Sequence, residues 1–119
     1  MDASQKLRVI EKLFLQELSQ DIVELERNID KERLKIVFKT GIKIYIQFNN
    51  YQEYSYSIIF SDELFDRIRF DNYDEKWVLA TNPHHIHPRF EKEAVQSPMN
   101  GNPEHDGQHL IKYLKSGLI

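Results

Sequence analysis

The chain has no cysteine, which removes disulfides, thiolate metal sites and a cysteine nucleophile together. It has only four glycines, and none falls in the glycine-rich patterns that cradle phosphates or dinucleotides. ATPase and dehydrogenase chemistry of those kinds is therefore excluded. No serine sits in a nucleophile elbow, so an α/β-hydrolase is excluded too. Long apolar runs are also missing. The first residues, MDASQKLRVIEKLFLQELSQ, spread charge throughout, which argues against a signal peptide or a membrane span. The cytoplasm is the expected compartment, with no membrane partner.

What is present suits a single α+β domain over residues 1–119, since 40% hydrophobic and 29% charged residues are ordinary globular values. The net charge of −3 weighs against nucleic-acid binding through bulk electrostatics, yet it hides a gradient. Residues 1–30 carry four basic and seven acidic side chains. Residues 31–48 then carry Lys31, Arg33, Lys35, Lys39 and Lys43 against Glu32 alone. An acidic segment followed by a basic one offers opposite charge to different partners.

From Ser4 to about Ile29, Leu7, Ile10, Phe14, Leu18, Ile22, Leu25 and Ile29 recur in steps of three and four. That spacing predicts one long amphipathic helix, capped by Asp2 or Ser4. The stripe looks wider than one sheet face covers, which points to a homodimer or a bound partner. The period then changes to two. Leu34, Ile36 and Phe38, then Ile42, Ile44, Ile46 and Phe48, flank Thr40-Gly41 and predict a β-hairpin. Tyr54 to Phe60 predicts a third strand, Leu64 to Phe70 a fourth and Trp77 to Ala80 a fifth. Thr81 to Pro103 reads as a long loop, and Asn102-Pro103 starts a last helix. The expected architecture is a long N-terminal helix on an antiparallel meander of four to five strands, with a short C-terminal helix.

Chemistry concentrates in Asn82-Pro83-His84-His85-Ile86-His87-Pro88-Arg89. Imidazoles exchange protons near neutral pH, and several beside an arginine can divide acid, base and oxyanion roles. In an extended segment His85 and His87 share a side and His84 faces away. Arg67 and Arg69 share a face of the fourth strand, and an arginine fork can grip phosphate or stabilise a phosphorane. Arg67 reads as an ordinary ion pair. Arg69 is followed by Asp71, which can orient a histidine, position Arg69 or hold the turn. A metal site built from His85, His87, His105 and His109 is a rival reading. Tyrosines among the basic residues could stack bases, although most read as strand residues.

Arg69-Phe70-Asp71-Asn72 followed by Pro83-His84-His85-Ile86-His87 resembles the Arg-aromatic-Asp-Asn and Pro-His-His-x-His signature of the TumE family of toxins. The resemblance covers about residues 30–119 and rests on those two motifs; the gap from Tyr73 to Asn82 departs from the family pattern. It implies a toxin whose growth inhibition is relieved by a cognate antitoxin protein. A helix followed by an antiparallel sheet is also similar to the small toxin ribonucleases of the RelE and barnase type. The leading expectation is an endoribonuclease that needs no metal or other cofactor and uses the ribose 2′-hydroxyl as nucleophile. In it His85 or His87 is the base, the other the acid, Arg69 steadies the phosphorane and Asp71 orients; His84 is the least placed of the three histidines. Lys35, Lys39 and Lys43 hold the RNA backbone. Alternatives are the His-ligated metal protein and a non-enzymatic interaction module.

Overall fold

The computed structural model describes residues 1–73 and 78–119. Helix α1 spans Ala3–Leu18 and starts from a capping box. Asp2 accepts from the Gln5 amide at 2.8 Å, while the Gln5 side chain accepts from the Asp2 amide at 2.8 Å. Two orphan amides of the first turn are thereby satisfied. Leu7, Ile10, Phe14 and Leu18 form its buried stripe.

The helix ends earlier than the periodicity predicts. A short 3₁₀ turn, Ser19–Asp21, leads into strand β1, Ile22–Asn28. The misleading spacing comes from a β-bulge. Ile22 pairs with Phe38, but Glu24 already pairs with Val37, leaving Val23 as the extra residue. A bulge shifts the phase of a strand by one, so Ile22 and Leu25 both pack toward the core. Three-residue steps are thus produced by a strand. The N-terminal stripe is correspondingly narrower, and the chain's own sheet and last helix bury it.

Strands β2 (Arg33–Phe38), β3 (Lys43–Phe48) and β4 (Tyr54–Ile59) follow the predicted alternation. Gly41, at φ +93°, turns the β2–β3 hairpin where L side chains are disfavoured. The Asn49 side chain closes the β3–β4 turn by accepting from the amides of Tyr51 and Glu53. Strand β5 covers Arg67–Asp71, starting later than the predicted Leu64. Leu64 and Phe65 lie exposed in a turn held by Asp66, which takes the Ser61 hydroxyl and Arg89.

Trp77 of the predicted fifth strand lies outside the described residues, while Val78–Ala80 are not extended pairing residues and Val78 is fully open. Two further strands form inside the expected loop, β6 (His85–His87) and β7 (Val95–Gln96). Helix α2, Pro103–Lys115, is capped by Asn102 with Pro103 at its first position. The described residues thus form an α+β fold whose sheet has seven antiparallel strands in sequence order, more than the four or five expected.

One face of the sheet is dry. Leu34, Ile36, Ile44, Ile46, Tyr56 and Ile58 lie fully buried beneath α1 and α2, each such side chain contributing on the order of 2 kcal/mol. The helices meet at Gly107, where a Cβ would stand 3.0 Å from Ile10 and Leu13. Among the described residues no helix is long and apolar enough to cross a membrane.

Candidate active site on the open face of the sheet

With both helices on one face, the alternate residues of every strand point to the other. The register defines rows across that open face. One row runs Glu26, Lys35, Tyr45, Ser57, Arg69 and His87. The next runs Asn28, Arg33, Gln47, Ser55, Asp71 and His85. Lys43, Ile59 and Arg67 belong to a third. Period two explains why Arg67, Arg69 and Asp71 share this face while Ile68 and Phe70 turn to the core. Short serines at Ser55 and Ser57 on β4 leave a depression between the basic residues of β2–β3 and those of β5.

The two segments that carry the family resemblance are neighbouring strands. Asp71 pairs with His85 and Arg69 with His87. Four side chains meet there. Arg69 Nε donates to Asp71 Oδ2 at 2.6 Å. His85 Nε2 lies 2.8 Å from Asp71 Oδ1 and 3.0 Å from His87 Nε2, and His87 Nε2 is 3.5 Å from Asp71 Oδ2. The Tyr73 amide donates to Asp71 Oδ1 at 3.2 Å. Asp71 and His85 are buried, at 1% and 0% exposure, whereas the side chains of Arg69 and His87 are 48% and 27% exposed. A buried carboxylate is tolerable only when paired, and Arg69 and His87 are the partners that also reach solvent.

The Pro83 carbonyl, 2.9 Å from His85 Nδ1, holds a proton on that nitrogen. A carbonyl only accepts, so Nδ1 carries the proton and donates, and Nε2 is aimed at Asp71 and His87. His85 has no surface with which to touch a substrate, so it cannot serve as base or acid directly and acts through its neighbours. His87 is the imidazole that lines the groove beside Arg69. That groove, about 530 Å³, is bounded by Ser57, Arg67, Arg69 and His87 with Phe65 and Phe90 at its rim. It adjoins a depression of about 320 Å³ lined by Arg33, Tyr45, Gln47 and Ser55, the two sharing Ser57 and Arg67.

His84 is elsewhere. Its Nδ1 is 2.9 Å from the Tyr54 hydroxyl and its ring stacks on Tyr54 with centroids 5.8 Å apart. Burial first, then Asp106 and Asp71, push the Tyr54 phenol well above its ordinary pKa, so it stays protonated at neutral pH. His84 opens to a separate hollow with Lys6, Gln52 and Asn72, not to the cluster. His105 and His109 also stay apart from it. Their rings are 4.6 Å from each other on α2, with His105 held by Asp106. Among the described residues, the set of three or more potential ligands that converges is Asp71, His85 and His87, so the four-histidine metal site does not assemble.

Of the expected RNA-holding lysines, Lys35 and Lys43 lie on the open face, Lys35 within 3.8 Å of Glu24. Lys39 sits exposed in the hairpin turn at the end of the sheet. Nothing in the sequence singles out Ser57, Gln47 or Ser55, and Arg67 has the local pattern of an ordinary ion pair. Arg67 instead lines the groove, because Asp66 is taken by Arg89 at 2.5 Å. No protein-family model, curated protein or solved structure matches the chain, so the site has to be argued from its own geometry.

Proposed function

We propose that this chain is the toxin of a toxin–antitoxin pair, an endoribonuclease acting in the cytoplasm on RNA laid across the open face of its sheet. The observation that carries the reading is the register that sets Arg69 and Asp71 beside His87 and His85 at one end of a face bearing Arg33, Lys35, Lys43 and Arg67. Lys35 and Arg69 are three strand spacings apart, about 14 Å, a reach that suits phosphates two positions apart on an extended strand. The overall charge is negative, but this face concentrates cations and Tyr45, whose ring lies 5.3 Å from the Arg33 guanidinium. Cations with an aromatic platform are what sequence-tolerant single-strand binding uses.

In this reading Arg69 holds the non-bridging oxygens of the scissile phosphate and stabilises the charge that grows on them. The 2′-oxygen attacks phosphorus and the 5′-oxygen leaves, giving a 2′,3′-cyclic phosphate and a 5′-hydroxyl without consuming water. The 2′-hydroxyl gives up its proton, and the departing 5′-oxygen gains one, through water in the open groove beside His87. His85 and Asp71 hold His87 and Arg69 in place. The cognate antitoxin relieves toxicity by presenting acidic groups to this same face.

The test is cleavage of a labelled single-stranded RNA by wild type and Arg69→Ala, with the ends of the products identified. Wild type is expected to release cyclic phosphate ends. Arg69→Ala is expected to lose on the order of 100- to 1,000-fold in rate, the usual effect of removing one oxyanion donor, and to lose toxicity on expression. Equal rates in both proteins, or no cleavage by wild type, would overturn the assignment.

A further inference from the structure

Two imidazole nitrogens and the oxygens of one carboxylate converge at the edge of the groove, with one ligand atom from each residue within 4.8 Å of the others. His85 Nδ1 already donates to the Pro83 carbonyl at 2.9 Å, so a neutral His85 aims the lone pair of Nε2 at Asp71 Oδ1, 2.8 Å away, and at His87 Nε2, 3.0 Å away. Asp71 Oδ2 lies 3.5 Å from His87 Nε2. A proton on His85 Nε2 serves the two short edges and leaves the third, to Asp71 Oδ2, unbridged. One cation bridges them together.

We propose that Asp71, His85 and His87 form a binding site for one first-row divalent transition ion of the zinc class. The edges of the cluster have the size such an ion imposes. With metal–nitrogen and metal–oxygen bonds near 2.1 Å, ligand atoms on one ion stand about 2.9 to 3.4 Å apart between octahedral and tetrahedral angles. The two short contacts, 2.8 Å from His85 to Asp71 Oδ1 and 3.0 Å between the imidazoles, lie at the near end of that range, and the contact of His87 with Asp71 Oδ2, at 3.5 Å, lies just beyond its far end. The surroundings match as well. A metal-bound histidine characteristically donates its other ring N–H to a carbonyl, and a ligand carboxylate is itself hydrogen-bonded. Pro83 does the first for His85, and Arg69 does the second for Asp71 at 2.6 Å. Two imidazoles with one carboxylate select zinc, cobalt, nickel or iron over calcium and magnesium, which prefer oxygen ligands throughout.

The site also has an open side. Asp71 and His85 are buried, but His87 lines the groove shared with Arg67 and Arg69, so the remaining coordination positions face the place where a substrate would lie. One carboxylate against a divalent ion and Arg69 leaves net positive charge there, the complement of a phosphodiester. The ion is then the group that holds the phosphate oxygen opposite Arg69 and stands where the expected histidine base–acid pair does not fit. Such a pair needs imidazoles on two sides of the phosphate, whereas these Nε2 atoms are 3.0 Å apart and one ring is sealed from solvent. The binding stands on the geometry alone; only its use on phosphate rests on the RNA reading.

The experiment strips the full chain with chelator and titrates it with Co²⁺, read by its visible absorption, and with Zn²⁺, read by calorimetry and by thermal unfolding. Wild type is expected to take up one ion per chain and to gain thermal stability with it. His87→Ala, at a partly exposed position and with its fold checked by circular dichroism, is expected to lose at least tenfold in affinity. His84→Ala and His105→Ala are expected to bind as wild type does. No uptake by wild type, undiminished uptake by His87→Ala, or loss of uptake in His105→Ala would each overturn the site. RNA cleavage is followed in parallel with and without chelator. Cleavage that survives full chelation in a protein that binds no ion defeats the ion and leaves the RNA reading; uptake of one ion without any cleavage defeats the RNA reading and leaves the ion.

Discussion

Asp71 and Asp106 are both buried beside histidines, and the fold uses them in opposite ways. Asp106 is enclosed by donors that belong to the scaffold: the Tyr56 hydroxyl at 2.7 Å, the amides of Gly101 at 2.7 Å and Asn100 at 3.1 Å, and His105 at 2.7 Å. Its carboxylate ties α2 and the preceding loop to the core of the sheet. Among the described residues Asp71 receives one backbone amide, from Tyr73, and its other partners are Arg69, His85 and His87. Two of these reach the groove. A buried carboxylate surrounded by backbone amides and a core hydroxyl is a structural joint. One whose neighbours are titratable, cationic and half in solvent is arranged for chemistry.

The contrast breaks most visibly at Asp106. Asp106→Ala leaves four donors without their acceptor and is expected to cost about 3 to 5 kcal/mol in urea unfolding, with whatever protein remains folded still cleaving RNA. Asp71→Asn keeps the shape of the side chain and is expected to cost roughly 1 to 3 kcal/mol, yet to lower cleavage by about 100-fold or more. A reversal of those two effects would mean that the roles have been assigned the wrong way round.

The third buried acid, Asp66, gives a smaller effect. The Ser61 hydroxyl first, and then the Arg89 guanidinium, hold its carboxyl below the ordinary aspartate value of 3.8 against the opposing pull of burial. A pKa lowered in the folded state adds stability that is present above that ordinary value and lost as pH falls through the folded one. Thermal unfolding of Asp66→Asn between pH 6 and pH 3 is therefore expected to fall less steeply than that of wild type. Parallel curves would place the acid sensitivity elsewhere.

How much of this was legible in the sequence depended on whether local pattern or pairing set the structure. Strands β2, β3 and β4 alternate apolar and polar residues against a one-sided core, so their period alone reveals them. The end of α1 was hidden by the bulge at Val23, which gives strand residues Ile22 and Leu25 a helical step. Strand β6 is three residues between prolines, and nothing local marks it as extended; it exists because β5 offers it an edge. The site was partly readable for the same reason. Arg69, Asp71, His85 and His87 stand in two motifs, and alternation already separated His84 from its neighbours. The serines of β4, together with Gln47 and Arg67, became part of the picture only once the register placed them in rows across the sheet. No spacing within the sequence carries that information.

Each of the two buried aspartates holds a partly exposed histidine, His87 at Asp71 and His105 at Asp106. The decisive measurement is the RNA-cleavage rate of His87→Ala set beside that of His105→Ala, each confirmed to be folded by circular dichroism. The account expects His87→Ala to lose at least about 100-fold and His105→Ala to cleave as wild type does. Equal rates in the two variants, whether both active or both dead, would contradict it.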